Sequence, residues 1–140
     1  MTRALLLVML LAGLLLSAGC ATRSGESLVI DTRDVVGVRF MPDELADMLQ
    51  GLGYNWIPIL DPAIRQEVKM FRQDGEYHMR FEYRETRQVR IDARMRSQDG
   101  FTRLHFYEPG SETLSPSSTA LFKQLQERAA LQFGAAAIGR

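Results

Sequence analysis

Apolar and polar residues alternate most regularly between Glu67 and Tyr107, where three polar interruptions separate four stretches. A period of two marks strands with one buried face. Two of the interruptions are Asp-Gly pairs, Asp74-Gly75 and Asp99-Gly100, which suit a type I′ hairpin turn because both central positions need positive φ. A two-residue turn at the first sets Met70 against Met79 and Val68 against Phe81. The same turn at the second sets Met95 against Leu104 and Ala93 against Phe106. Parity then demands an odd middle loop, and three residues, Glu85 to Arg87, set Tyr83 opposite Val89, Phe81 opposite Ile91 and Met79 opposite Ala93. The other face of that register pairs Glu82 with Arg90, Arg80 with Asp92 and Glu76 with Arg96. These are three opposite-charge pairs from a register chosen for its apolar face alone. The pattern predicts a four-stranded antiparallel meander with one face in the core and one in water.

Two segments have helical spacing instead. After a short strand around Leu28 to Ile30, Pro42, Asp43 and Glu44 suit a first helical turn, and Leu45, Met48, Leu49 and Leu52 form one apolar stripe that Gly51 and Gly53 end. Trp56, Ile57, Ile59 and Leu60 follow as an extended piece that Pro58 and Pro62 confine to an edge or a loop. Near the C-terminus, Leu121, Phe122, Leu125, Ala129 and Phe133 lie on one side of a second helix, with a cap expected at Ser117 or Ser118 and a stop at Gly134. The predicted fold class is α+β, a two-layer sandwich with an N-terminal and a C-terminal helix packed on one face of the meander. This single domain spans 28–134, and 135–140 form a loose tail.

The N-terminus obeys neither pattern. Arg3, an uninterrupted apolar run over positions 4–16 and the small residues Ser17, Ala18 and Gly19 are the three parts of a secretory signal peptide. The run is shorter than the roughly 18 apolar residues a membrane-spanning helix needs. Cys20, the one cysteine of the chain, comes directly afterwards. The residues LLSAGC resemble the lipobox of bacterial lipoproteins, with Ser17 where that family usually has leucine and Leu16 one place earlier. The resemblance covers residues 1–20. It implies cleavage of 1–19, diacylglycerol on the Cys20 thiol and a membrane anchor. Ala21, where aspartate would favour the inner membrane, implies the outer membrane of a diderm cell with the domain facing the periplasm. Several acyl chains on one residue make a lasting anchor, whereas a single chain binds reversibly. Residues 20–27 are then a small, polar, lipidated tether.

Composition and charge narrow the chemistry. Without Arg3 the mature chain has 16 basic and 17 acidic side chains, so a nucleic-acid partner is not expected. Neither a catalytic nor a cofactor site is expected: there is no Gly-x-Ser-x-Gly elbow, GLGYNW at 51–56 follows a helix instead of a strand, and Glu82 and Asp92 each face an arginine that favours the charged form. No metal site is expected either, since the two histidines, His78 and His105, are set on either side of Arg94 in this register. Arginine is the notable excess, 15 against two lysines. His78, Arg94, Arg96, Arg103 and His105 gather where few acids oppose them, with Phe71 and Tyr107 on the same face, and form a candidate surface for a partner or an anionic ligand. The expected function is that of a lipid-anchored, non-catalytic interaction or assembly module of the cell envelope. The alternative is a module binding lipopolysaccharide, phospholipid or peptidoglycan through its arginine-rich sheet face.

Overall fold

Residues 25–31, 33, 42–96 and 100–139 are described by the computed structural model, and the signal segment, the lipobox and Cys20 lie outside them. The chain runs β1 (Glu26–Asp31), α1 (Pro42–Gly51), β2 (Tyr54–Ile57), β3 (Ile59–Asp61), β4 (Gln66–Val68), β5 (Met70–Gln73), β6 (Glu76–Tyr83), β7 (Arg90–Arg96), β8 (Phe101–Tyr107), α2 (Pro116–Phe133), a 3₁₀ turn at Ala135–Ala137 and β9 (Ile138–Gly139). The fold is α+β. Its main sheet has seven strands instead of the four expected, ordered β2-β6-β7-β8-β1-β9 with β5 also on β6.

The extra strands come from both ends of the expected meander. At one end β1 pairs with β8, and β9 covers Val29 and Ile30 of β1. The expected loose tail is thus partly a strand, because Ala137 sits in the core and its neighbours can complete hydrogen bonds on the β1 edge. At the other end β6 has two partners on one side. β2 pairs with its C-terminal half, Tyr54 opposite Tyr83 and Trp56 opposite Phe81, and β5 pairs with its N-terminal half, Met70 opposite Met79. Val68 therefore does not face Phe81, as the sequence had implied. It faces Ile59 in a separate hairpin, β3 with β4. Pro58 explains the departure: it has no N–H to continue the ladder, so the chain leaves the sheet there and rejoins it at Met70. The Trp56 indole N–H donates to the Lys69 carbonyl at 2.6 Å and closes the base of this inserted finger.

The turns follow the local sequence to different degrees. Asp74 and Gly75 have φ of 52° and 78°, so Gln73 pairs with Glu76 across the expected two-residue turn. The β7–β8 connection is longer. Arg96 pairs with Phe101, which shifts the register by two residues and places Met95 opposite Thr102, Ala93 opposite Leu104 and Ile91 opposite Phe106. A shift of two keeps every side chain on its face, so the apolar pattern cannot distinguish the two registers. In the observed one the bulky Phe106 stands beside Ile91 and meets Phe122 of α2 at 5.3 Å between ring centres, while Leu104 lies against the small Ala93.

Met79, Phe81, Ile91, Ala93, Met95, Leu104, Phe106, Leu28 and Ile30 on the sheet share one buried cluster with Leu45, Met48 and Leu49 of α1 and Phe122, Leu125, Ala129 and Phe133 of α2. Each large apolar side chain so buried contributes roughly 1.5–3 kcal/mol. Ser115, not Ser117 or Ser118, caps α2: its hydroxyl accepts from the Ser118 N–H at 3.3 Å, and Pro116 takes the first helical position, where its missing N–H is harmless. Glu108 braces that cap, accepting from the Ser115 N–H at 2.8 Å and from its hydroxyl at 2.6 Å. These hydrogen bonds hold the Glu108 carboxyl below its ordinary range.

Candidate functional site

Strand alternation leaves the second face of the sheet to polar side chains, and the antiparallel registers order them in rows across the strands. One row reads Asn55, Glu82, Arg90, Tyr107; the next Ile57, Arg80, Asp92, His105, Ser27; the third Phe71, His78, Arg94, Arg103, Val29; the last Gln73, Glu76, Arg96, Phe101, Asp31. Residues opposite one another in such rows have Cα atoms about 4.5–5.5 Å apart, so each row is a line of touching side chains.

In three rows the charges are matched. Arg90 meets Glu82 at 3.3 Å, and Arg96 meets Glu76 at 2.9 Å. Arg80 holds Asp92 through two hydrogen bonds of 2.6 and 3.2 Å, and the Tyr107 hydroxyl donates to the same carboxylate at 3.3 Å. Asp31 at the edge is held by Arg33 at 2.7 Å. The three ion pairs expected between β6 and β7 are therefore all formed.

The third row is different. Arg94 and Arg103, both exposed, stand directly opposite each other, and neither makes an ion pair with a carboxylate among the described residues. This corrects the expected neighbourhood, in which His105 rather than Arg103 faced Arg94. His105 lies across from Asp92 in the adjacent row, stacked on Tyr107 at 5.3 Å with the Ser27 hydroxyl 3.4 Å from its Nδ1. Of the five residues singled out by sequence, the structure groups His78, Arg94 and Arg103 in one row, sets Arg96 one row away on Glu76, and separates His105.

His78 is half-buried beside Arg94 and stacks nearly parallel on Phe71, ring centres 4.8 Å apart. Phe71 and Tyr107 are thus not bare aromatics; each covers a histidine. Burial, then the neighbouring Arg94 charge, pushes the His78 pKa below its ordinary value, against the weaker pull of Glu76, Asp74 and Asp92. At neutral pH the imidazole is therefore uncharged, and the positive charge of the row is that of the two guanidinium groups.

Two hollows meet at Arg94. One, of about 280 Å³, lies over Val29, Glu76, Arg94, Arg96, Phe101 and Arg103. The other, of about 270 Å³, has Phe71, His78, Asp92 and Arg94 at its floor and Ile59 and Leu60 of the finger at its wall. Sequence reasoning missed this wall, because it is built by the chain's departure at Pro58 and not by any feature of Leu60 itself. A third hollow, of about 430 Å³, lies over Arg80, Asp92, His105 and Tyr107 beneath the 108–112 loop. No group of His, Cys, Asp and Glu among the described residues is arranged to hold a metal ion. Comparison of the chain with protein-family models, with curated proteins and with solved structures finds no match.

Proposed function

We propose that this chain is a lipid-anchored, non-catalytic binding module of the bacterial cell envelope that engages its partner through the polar face of the sheet. On this reading the domain is a two-layer sandwich: both helices close one face of the sheet and leave the other for recognition. The anchor is read from the LLSAGC segment and Cys20, and Ala21 favours the outer membrane with the domain in the periplasm of a diderm cell. The chain enters β1 at Gly25, beside Tyr107, so a tether of a few residues would hold the end of the sheet close to the bilayer.

The observation that carries the binding assignment is the Arg94–Arg103 pair. Every described carboxylate on this face is engaged by another arginine, and like charges directly opposite in a sheet destabilise it. An anionic group laid over the pair would turn that repulsion into charge-assisted hydrogen bonding. The same observation favours an anionic component of the envelope over a neutral protein surface as the first contact.

The anchor is tested by Cys20→Ala in cells supplied with a labelled fatty acid. The expected result is loss of label, retention of the 19-residue leader and release from the outer-membrane fraction. A Cys20→Ala chain that is processed and membrane-bound as before would contradict the assignment.

A further inference from the structure

We infer that the two hollows meeting at Arg94 form one site for an amphipathic phosphate monoester, its phosphate between Arg94 and Arg103 and its apolar substituent against Ile59, Leu60 and Phe71. The inference rests on the binding reading above and names the ligand chemistry for that face.

Charge selects the phosphate. The two guanidinium groups supply two positive charges that no described carboxylate offsets, and a phosphate monoester carries about −1.5 to −2 at neutral pH. A carboxylate supplies half of that, and its two oxygens are filled by one bidentate arginine, whereas phosphate has oxygens for both forks. The acids nearby do not fill the role: Glu76 is held by Arg96 at 2.9 Å, with His78 Nε2 at 3.8 Å, and Asp92 is held by Arg80 at 2.6 Å. The hollow over Arg94 and Arg103, about 280 Å³, is several times the ~30 Å³ share of one water.

The finger adds the apolar half. Leu60 is 61% exposed, and a single exposed leucine needs no explanation by itself. Its position does. Leu60 and Ile59 line the hollow that Arg94 shares with the stacked Phe71 and His78, so a ligand whose phosphate sits on Arg94 has the apolar surface of the finger within reach. Burial of an acyl chain there would contribute about 0.8 kcal/mol per methylene. Lipid phosphates and free or sugar phosphates share the anionic group, and the finger wall separates them.

The test is a titration of the full chain in neutral maltoside micelles at constant ionic strength, followed by backbone amide shifts and calorimetry. Its probes are inorganic phosphate, dihexanoyl phosphatidate, dihexanoyl phosphatidylcholine and succinate. Dihexanoyl phosphatidate is expected to bind at least tenfold more tightly than inorganic phosphate, with shifts at Arg94, Arg103 and Leu60, and the zwitterionic lipid and succinate to give none. The Arg94→Gln/Arg103→Gln variant is expected to lose at least tenfold for both phosphates. Leu60→Ser is expected to erase the lipid's advantage while keeping the affinity for inorganic phosphate. Equal binding of the lipid and inorganic phosphate overturns the amphipathic assignment. Succinate binding as tightly as phosphate, or undiminished binding by the double variant, overturns the phosphate site. A photo-crosslinker at position 29, opposite Arg103 in the same row and lining its hollow, leaves both guanidinium groups in place and separates the two levels in cells: an adduct with an acidic protein, without phosphate binding, overturns this inference and keeps the binding reading. Neither adduct nor phosphate binding removes both.

Discussion

Arg94 and Arg103 are the side chains at which this sheet works against its own stability. Facing like charges in an antiparallel pair cost of order 0.2–1 kcal/mol relative to neutral partners. Arg103→Gln is therefore expected to stabilise the unliganded fold by about 0.5 kcal/mol and raise Tm by about 2 °C in low salt. An unchanged or lower Tm would mean that the pair is not repulsive. His78 gives the row a pH response. Phe71 of β5 covers its ring, Glu76 and Asp74 flank it on its own hairpin, and Arg94, Asp92 and Arg80 surround it in the sheet and the shared hollow. Its pKa is lowered in the folded state from the ordinary 6.5, chiefly by burial. The unfolded chain therefore takes up the proton first as pH falls, and the contribution of neutral His78 is full above about pH 6.5 and is lost below it through the folded value. Urea midpoints at pH 7.5 and pH 5 are expected to fall less in His78→Gln than in the wild type; equal falls would exclude His78 as the source.

The elements differ in how far local sequence determines them. Asp74-Gly75 supplied both positive φ values, and the β6–β7 register followed from apolar partners and returned three ion pairs unprompted. Both helices were legible from their stripes and glycine ends. The start of α2 was misread because Ser117 and Ser118 are also good caps; the deciding residue is Pro116, which belongs in the first turn and so puts the cap at Ser115. Ser115→Ala is expected to cost about 1 kcal/mol, read as a lower urea midpoint, and a cost near zero would assign the cap elsewhere. The β7–β8 register was not legible, since a shift by two preserves both faces and only the packing of Phe106 and Leu104 in three dimensions chooses between them. The pairing of β2 with β6 was equally hidden, because it spans a 12-residue excursion in which β3 pairs only with β4. The candidate residues do lie in the cross-strand rows of the polar face, but their grouping depended on that missed register. With it, Arg94 met Arg103 and lost His105.

In the molecule as a whole, charge and apolar surface are sorted by face. The core takes one side of the seven-stranded sheet together with both helices, and the other side keeps a nearly neutralised lattice of ion pairs with one unbalanced row. The finger between Pro58 and Lys69 borders that row, and the chain's entry at Gly25 lies at the Tyr107 end of the same sheet. On the proposed anchoring, the bilayer and the unbalanced row belong to one surface of operation, a short tether apart. The central claim is that this face, and not the helical side, meets the partner. It is tested most directly by placing a photo-crosslinking residue in the lipidated protein in living cells, at position 29 in one strain, opposite Arg103 on the polar face, and at position 131 in another, where Leu131 is 84% exposed on α2. A discrete adduct with an envelope component is expected from 29 and none from 131. Adducts from 131 alone, or the same adducts from both positions, would contradict it.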